Sequence, residues 1–443
     1  MMKKACVLGL GYIGLPTACM LAAHGYRVTG VDVDPGIVDA VNKGMAGVLE
    51  PGLSELAASS VREGRLVAQG APAPADVFIV AVPTPLAAGK KADLSYVKAA
   101  ASSLVPYLRK GNLVILESTV PPGTTDGLFR AILEESGLSA GRDFFVAHCP
   151  ERVLPGNILH ELRHNDRVIG GVTRQAASAA KELYSAFVEG EIHLADARTA
   201  EIVKLMENTY RDVNVALANE FARVAEEIGI NIWEAIDLAN RHPRVNIHRP
   251  GPGVGGHCLA IDPWFIIEVA PEATELIATA RRINDGRPAI VAKHVLGELR
   301  HAGVRRPKVA VWGLAYKGNV DDVRESPAWE VIRHLQEAGA GVSLYDPYVH
   351  LSAVDPRLRG TPGLSGLRNS VRGADCILVV TDHDRFKEIG PEQVGPLMRH
   401  RFLVDTRNCI DHETWREAGF VVKILGDAQR MPDGRPQASA RAL

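Results

Sequence analysis

Runs of four to six apolar residues recur along the chain, each closed by glycine, proline or an acidic residue. They alternate with stretches whose apolar positions repeat every three or four residues. The first kind has the length of a buried strand, the second the period of an amphipathic helix. The pattern predicts strands at Lys4–Leu8, Tyr26–Val31, Val77–Val82, Leu113–Glu117 and Phe144–His148, with a helix after the first whose apolar positions include Leu15, Cys19, Ala22 and Ala23. From Thr199 to Ile228 neither proline nor glycine occurs and Ala, Leu, Val and Glu dominate, which predicts one helix of about eight turns. A shorter helix, Ile232–Ala239, and a helical segment from Ala270 to Ala302 follow. The strand pattern then restarts at Lys308–Trp312 and returns at Leu344–Pro347, Cys376–Thr381 and Phe402–Asp405, separated by helical stretches such as Ala328–Glu337. Alternation of this kind builds doubly wound α/β sheets. The expected organisation is therefore two such domains, at 1–195 and 303–443, joined by a helical central region at 196–302. The terminal PDGRPQASARAL has little to bury and is expected to stay disordered.

Composition narrows the class without changing that picture. A chain of 443 residues exceeds one ordinary core, and 46% hydrophobic and 23% charged residues are average for a soluble enzyme. A formal net charge of -2 gives no general attraction to nucleic acid or an anionic membrane, so any cationic site is local. Cys6, Cys19, Cys149, Cys258, Cys376 and Cys409 are scattered, with no CxxC pair and no zinc spacing, which fits a reducing cytoplasm and no bound metal. Two lysines before an apolar run give the N-terminus the look of a signal peptide, but its glycines have a better explanation, and no other stretch is long enough to span a bilayer.

That explanation is a dinucleotide site. The first strand empties into GLGYIG, with Gly9, Gly11 and Gly14 around Tyr12 and Ile13, and the second ends in Asp32, eighteen residues beyond Gly14. Strand, glycine turn, helix and a distal acid form the Rossmann fingerprint: the glycines admit a pyrophosphate to the helix N-terminus and the acid binds ribose hydroxyls. A carboxylate repels a 2′-phosphate and no arginine follows in VDVDPG, so NAD is expected rather than NADP. The third and fourth strands empty into VPTP and ESTVPPGTT, where Thr84 and Thr119 are either cofactor contacts or plain turn residues. Glu151 and Arg152 leave the fifth strand towards the same crevice, unless they are an exposed ion pair.

Two further stretches carry chemistry. On the long helix Lys204, Asn208 and Arg211 share one face at spacings of four and three, among apolar Ile202, Val203, Leu205 and Met206. A charged stripe is ordinarily solvated, but the central asparagine and apolar surroundings suit a lined site. Downstream, GPGVGGHCLAIDPWF at 251–265 presents Cys258 after a glycine-rich approach, with Asp262 four residues on. A cysteine so held is a nucleophile or else a small buried hydrophobe in a turn. The basic turn NRHPRVN, holding His242 and Arg244, precedes it and suits an anionic or hydroxylated ligand. The second α/β domain lacks the three-glycine turn and offers Tyr316, Lys317 and Arg324 instead, which points to a nucleotide-like ligand other than a second NAD.

GLGYIG, VPTP, ESTVPPGTT, CPER, the Lys204 and Asn208 helix, GGHCLAIDP and AYKGNVDDVRESP at 315–327 together resemble the UDP-sugar 6-dehydrogenases of the UDP-glucose/GDP-mannose dehydrogenase family. The resemblance covers nearly the whole chain. It implies an NAD domain, a central helix forming a homodimer, a domain binding the UDP part, and oxidation of a sugar's primary alcohol to a carboxylate with two NAD. His257 before Cys258 resembles the N-acetylhexosamine branch, and Ala260, ERVLPG and NRHPRVN resemble the members acting on UDP-N-acetyl-D-mannosamine, with UDP-N-acetylglucosamine the alternative. By the same resemblance Arg152, Val153, Arg211, His242, Arg244 and Gly255 would contact the sugar, and Tyr316, Lys317 and Arg324 the diphosphate side. The turn at His242 would serve either its own site or a neighbouring subunit's.

Two hydride removals from one carbon require the aldehyde to be held between them, and a thiolate does so as a thiohemiacetal that is then oxidised to a thioester. Cys258 is the cysteine placed for that, with Lys204 and Asn208 to stabilise charge on oxygen and Asp262 and Glu151 to manage protons and the hydrolytic water. A nucleotide-sugar sensor without chemistry and a simple two-electron dehydrogenase are the rivals. They differ in NADH formed per sugar.

Overall fold

The computed structural model describes residues 3–48, 50–154, 156–350 and 364–428, and the terminal PDGRPQASARAL lies outside them. The chain divides into two compact units, one of residues 1–207 with 264–273, the other of 208–263 with 274–443.

The first unit holds eight strands: β1 (Lys4–Leu8), β2 (Arg27–Val31), β3 (Leu66–Gln69), β4 (Val77–Val80), β5 (Leu113–Leu116), β6 (Phe145–His148), β7 (Arg167–Gly171) and β8 (Ile192–Asp196). They form one sheet in the order β3-β2-β1-β4-β5-β6-β7-β8, parallel except where β7 runs against β6. Strand periodicity sorts its core. Ala5, Val7, Val28, Ile79 and Ile115 pack on one face with Leu15, Ala18, Cys19 and Ala22 of the helix Gly14–Ala23. The intervening Cys6, Leu8, Phe78, Val80, Val114 and Leu116 pack on the other with Val97, Ala101 and Leu104 of the helix Ser95–Leu104. Both faces are covered, so β4 (VFIV) and β5 (LVIL) are apolar at every position. The strand order reverses between β1 and β4, the switch point outside whose carboxyl strand ends doubly wound sheets bind their ligands.

In the second unit β9 (Lys308–Trp312), β10 (Gly341–Tyr345), β11 (Cys376–Val379), β12 (Phe402–Asp405) and β13 (Val421–Ile424) form a parallel sheet in the order β10-β9-β11-β12-β13. Val309, Val311, Cys376 and Leu378 face one layer, Ala310, Trp312, Ile377 and Val379 the other. The expected strands are present within a few residues of their expected ends. β3, β7, β8 and β13 are additions.

The long helix runs from Ala197 to Ile228, two residues earlier than expected. The segment 270–302 is a short 3-10 turn, Pro271–Ala273, followed by a helix from Glu275 to His301. Among the described residues no helix is long and apolar enough to cross a membrane.

Candidate active site

Each unit carries its own part of the chemistry. In the first, Gly9 follows β1 with φ +91°, and an added Cβ there would stand 2.4 Å from the Ala81 carbonyl oxygen. A Cβ on Gly14 would stand 1.8 Å from the Gly9 oxygen, so the turn and the helix start are pressed together. Gly11 has nothing within 4 Å of its Cβ position and is exposed. No side chain caps the helix Gly14–Ala23; its first turn is closed by the Leu15 N–H donating to the Gly11 carbonyl at 3.2 Å, and the space above Gly11 is open to an anion. That is an anion cradle, and a pyrophosphate fits it.

Asp32 directly follows β2 and is held from behind. Its Oδ2 accepts the Leu10 N–H at 2.8 Å and its Oδ1 the Asp34 N–H at 3.0 Å. Each oxygen keeps lone pairs for ribose hydroxyls, and Val33 beside it is 91% exposed. The residues thus fit NAD. NAD use is expected to exceed NADP use by at least about 100-fold in kcat/KM, since a 2′-phosphate would meet the carboxylate without a cation. Asp32→Ala should erode that gap, and equal specificity constants in the parent enzyme would contradict it.

Thr84 donates its hydroxyl proton to the Thr119 carbonyl at 2.7 Å, so the two expected cofactor residues clamp their loops together and the Thr84 oxygen is left to accept. Glu201 of the long helix takes the N–H groups of Gly123 (2.5 Å) and Thr125 (2.7 Å), fixing the ESTVPPGTT loop. Glu151 and Arg152 are not each other's ion pair. The Glu151 carboxylate, 8% exposed, accepts from Arg167 at 3.1 Å and from the Arg152 N–H at 2.7 Å. Arg152 reaches Glu207 at 2.5 Å, and Val153 packs half-buried on the core. Lys204 is buried at 7% exposure. Burial, and after it the charge of Lys204, pushes the imidazole of His148 down to about 3, so His148 is neutral.

Sequence reasoning passed over Glu117 and Arg167. Glu117 is wholly buried where β5 ends. Burial first, then the charge of Glu151, raises its carboxyl from near 4.5 to about 7. The native state thus binds this proton more tightly than the unfolded chain does. Its contribution to stability, about 3 kcal/mol, is complete below pH 4.5 and lost as pH rises through about 7. Glu117→Gln should remove that decline. Unfolding midpoints of parent and variant at pH 5 and pH 8 check it, and parallel pH dependences would refute it.

In the second unit the cysteine loop is seated by its glycines. The Gly251 N–H donates to Asn219 at 2.9 Å, and its carbonyl accepts from Arg287 Nε at 3.1 Å. A Cβ on Gly255 would meet the Glu325 oxygen and Pro327 Cδ at 2.7 Å and Tyr316 Cβ at 2.9 Å. Gly256, with φ +83°, lies against the Tyr316 ring. The two motifs GPGVGGHC and AYKGNVDDVRESP therefore fold onto one another. Cys258 emerges half-buried, and its carbonyl accepts the N–H groups of Ile261 (3.0 Å) and Asp262 (2.9 Å), starting a helical turn. Asn208 donates to Asp262 Oδ2 at 2.5 Å with both residues buried, while Arg211 donates to the Asn208 carbonyl oxygen. That chain fixes which way the amide points. Arg324 folds back on Asp322 at 2.7 Å, and His257 stands 3.9 Å from the same carboxylate. His242 and Arg244 are exposed.

The turn after β9 repeats the first fold in part. Gly313 has φ +92°, and the Leu314 N–H reaches Asp346 at 2.6 Å as Leu10 reaches Asp32. Here, however, Tyr348, Val349 and His383 also bond the buried Asp346, leaving no acceptor for a ribose. The following helix starts only at Pro327, capped by Ser326. A second NAD has no place there. Instead a cavity of about 530 Å³ is lined by Trp233, Arg249, Lys317, Asn319, Lys387 and Arg407, among others. Tyr316 and Arg324 do not line it. Arg407, which sequence reasoning missed, follows β12 and also approaches Gly251, linking the cavity to the start of the cysteine loop.

Residues 3–188 match the NAD binding domain, 198–286 the central domain and 310–412 the UDP binding domain of the UDP-glucose/GDP-mannose dehydrogenase family. The chain is 49% identical over 432 residues to the UDP-N-acetyl-D-mannosamine dehydrogenase of Methanococcus maripaludis, covering 96% of this chain and 97% of the relative. It is 44% identical over 409 residues to the NDP-N-acetyl-D-galactosaminuronic acid dehydrogenase of Ralstonia solanacearum, covering 90% and 95%. The solved UDP-D-ManNAc dehydrogenase of Pyrococcus horikoshii superposes with TM-score 0.88 at 45% identity, covering 96% of this chain and 99% of that one. The chain belongs to the UDP-glucose/GDP-mannose dehydrogenase family.

Proposed function

We propose that the chain oxidises the primary alcohol of UDP-N-acetyl-D-mannosamine to the carboxylate in two successive two-electron steps. Bound NAD supplies the hydride acceptor for each. Cys258 Sγ adds to the aldehyde carbon, and the thiohemiacetal so formed is oxidised to a thioester. Water then attacks that carbonyl, the C–S bond breaks, and the acid leaves with Cys258 again a thiolate. Lys204 and the Asn208 amide stabilise the negative charge on the reacting oxygen, and Lys204 exchanges the alcohol proton. Asp262 orients the amide, and Glu151 takes the proton of the hydrolytic water. Lys317 and Arg407 hold the diphosphate, and His242 and Arg244 reach sugar or uronate in a neighbouring subunit.

What carries this reading is the cysteine loop. Gly253, Gly255 and Gly256 press it against Tyr316 and Pro327, and a buried asparagine–aspartate pair follows it, a construction that a two-electron dehydrogenase or a sensor would not need. The sugar assignment is supported by the relatives' substrate and by His257 with Ala260. Subunit exchange is supported by the outer face of the long helix. Met206, Tyr210, Leu217, Phe221, Val224 and Ile228 lie exposed there at helical spacing, a stripe that a second copy of this chain would bury. No disulfide joins any of the six cysteines, all of them among the described residues, in keeping with the reducing cytoplasm in which we place the protein.

The test is a panel of UDP-sugars with products identified and NADH counted, on a preparation whose mass is measured by sedimentation. Two NADH per sugar and a dimer are expected. UDP-N-acetyl-D-mannosamine should exceed its glucosamine epimer by about 100-fold in kcat/KM, because a misdirected acetamido group is desolvated without partners. One NADH per sugar would refute the thioester route, a preference for UDP-glucose the sugar assignment, and a monomer the subunit exchange.

A further inference from the structure

Behind Glu151 lies a buried polar cluster to which the reaction above gives no task. Arg167, on β7, donates from Nη2 to Glu151 Oε2 at 3.1 Å and to the Leu162 carbonyl at 3.4 Å, and from Nη1 to Cys149 Sγ at 3.6 Å. Its guanidinium lies over the ring of Tyr184, 4.9 Å from the centroid. The Tyr184 hydroxyl donates to Glu117 Oε1 at 2.5 Å, and Thr17 Oγ1 stands 3.4 Å from Glu117 Oε2. Thr17, Cys149 and Tyr184 are fully buried, Glu117 is 2% and Arg167 5% exposed.

This is costly construction. Two carboxylates and one guanidinium leave a surplus negative charge out of water, and such a surplus is relieved by a shared proton. The hydrogen bonds say where it sits. Glu151 has the guanidinium and a backbone N–H, whereas Glu117 has only hydroxyl partners, so Glu117 is the member that takes the shared proton. Groups facing Glu117 come from every side: Thr17 from the helix Gly14–Ala23, Tyr184 from the helix Arg174–Tyr184, Arg167 from β7, and Cys149 and Glu151 from beyond β6. The Glu117 carboxyl, raised by burial and by Glu151 to about 7, agrees with that placement.

We propose that Arg167 and Glu117 are positioning residues for Glu151. Arg167 fixes one carboxylate oxygen, and neutral Glu117 anchors Arg167 through Tyr184 without competing for its charge. Glu151 is thereby oriented to take the proton when water attacks the Cys258 thioester. The step balances: the water oxygen bonds to the carbonyl carbon, its proton passes to Glu151, and the C–S electron pair leaves with sulfur. This rests on the role of Glu151 proposed above.

Rapid-quench single turnovers with NAD and UDP-N-acetyl-D-mannosamine, read by intact-protein mass and by acid formed, test it on the full chain. Arg167→Lys and Glu117→Gln should slow acid release at least about tenfold more than the first hydride transfer, and the protein should accumulate the mass of the sugar acyl group. Glu117→Gln, nearly isosteric, should also abolish the change in acid-release rate that the parent shows between pH 6 and pH 8. A merely structural role would lower both steps together and leave the pH profile in place. The proposal is overturned if both variants release acid at the parental rate while Glu151→Gln is slow. If Glu151→Gln itself releases acid at the parental rate, the role of Glu151 falls, and the proposal with it. Should Arg167→Lys fail to fold, Glu117→Gln decides alone.

Discussion

Cys258→Ser is expected to yield a folded enzyme that makes almost no acid. The site predicts both halves of that result. Cys258 is half-buried, and the turn that follows it is held through its backbone carbonyl, which serine retains, so the fold should lose no more than about 1 kcal/mol. The chemistry loses the thiolate. A serine hydroxyl is not ionised at neutral pH, and an ester formed through it would discharge more slowly than a thioester, so net acid formation should fall by about 1000-fold or more. No other thiol replaces it. Cys6, Cys19, Cys149 and Cys376 are buried, and burial with the charge of Asp405 pushes the thiol of half-buried Cys409 far above its ordinary range. Counting NADH and acid per sugar over one hour checks the expectation. Acid formed at the parental rate would make Cys258 a structural residue.

How much of this was legible beforehand depends on whether the physics is local. The GLGYIG turn and Asp32 could be read because both ends of one hydrogen bond, Leu10 N–H to Asp32, are announced by residue types at a fixed spacing. The fully apolar β4 and β5 were equally plain. β7 was not, since RVIGG ends in glycines, which read as strand breakers. The structure shows why they are there: a Cβ on Gly170 would stand 2.3 Å from the Asp196 oxygen, and one on Gly171 2.2 Å from the Thr173 oxygen. With β7 unread, Arg167 was invisible as the partner of Glu151, and the acid was paired in thought with its neighbour Arg152. Arg407 escaped for a related reason. It lies ninety residues beyond Lys317, and only the order β9-β11-β12 brings both to one cavity. Partnership across a sheet leaves no periodicity in the chain.

The other large effect separates two glycines that sequence alone treats alike. An alanine methyl at Gly14 would sit 1.8 Å from the Gly9 carbonyl oxygen and 3.3 Å from Ala81 Cβ. The first of these is backbone, held in turn by the Gly9 N–H bond to Val31 at 2.8 Å, so no side-chain rotation relieves the clash. The helix Gly14–Ala23 must move away from β1, and its buried Leu15, Ala18 and Cys19 move with it. Gly14→Ala should therefore cost about 3 kcal/mol or more in stability, as overpacking against a fixed backbone does, together with NAD binding. Gly11→Ala meets no protein atom within 4 Å, and φ is not in the left-handed region, so the unfolding midpoint should stay within a degree or two of the parent. Its methyl nevertheless occupies the space above the helix N-terminus that the pyrophosphate would take, and NAD affinity should drop by about 100-fold. Thermal unfolding and NAD titration of both variants give the four numbers. A Gly11→Ala protein that bound NAD as the parent does would remove the cofactor from this cradle, whereas a Gly14→Ala protein of parental stability would show that the helix start has room that the close approach to Gly9 denies it.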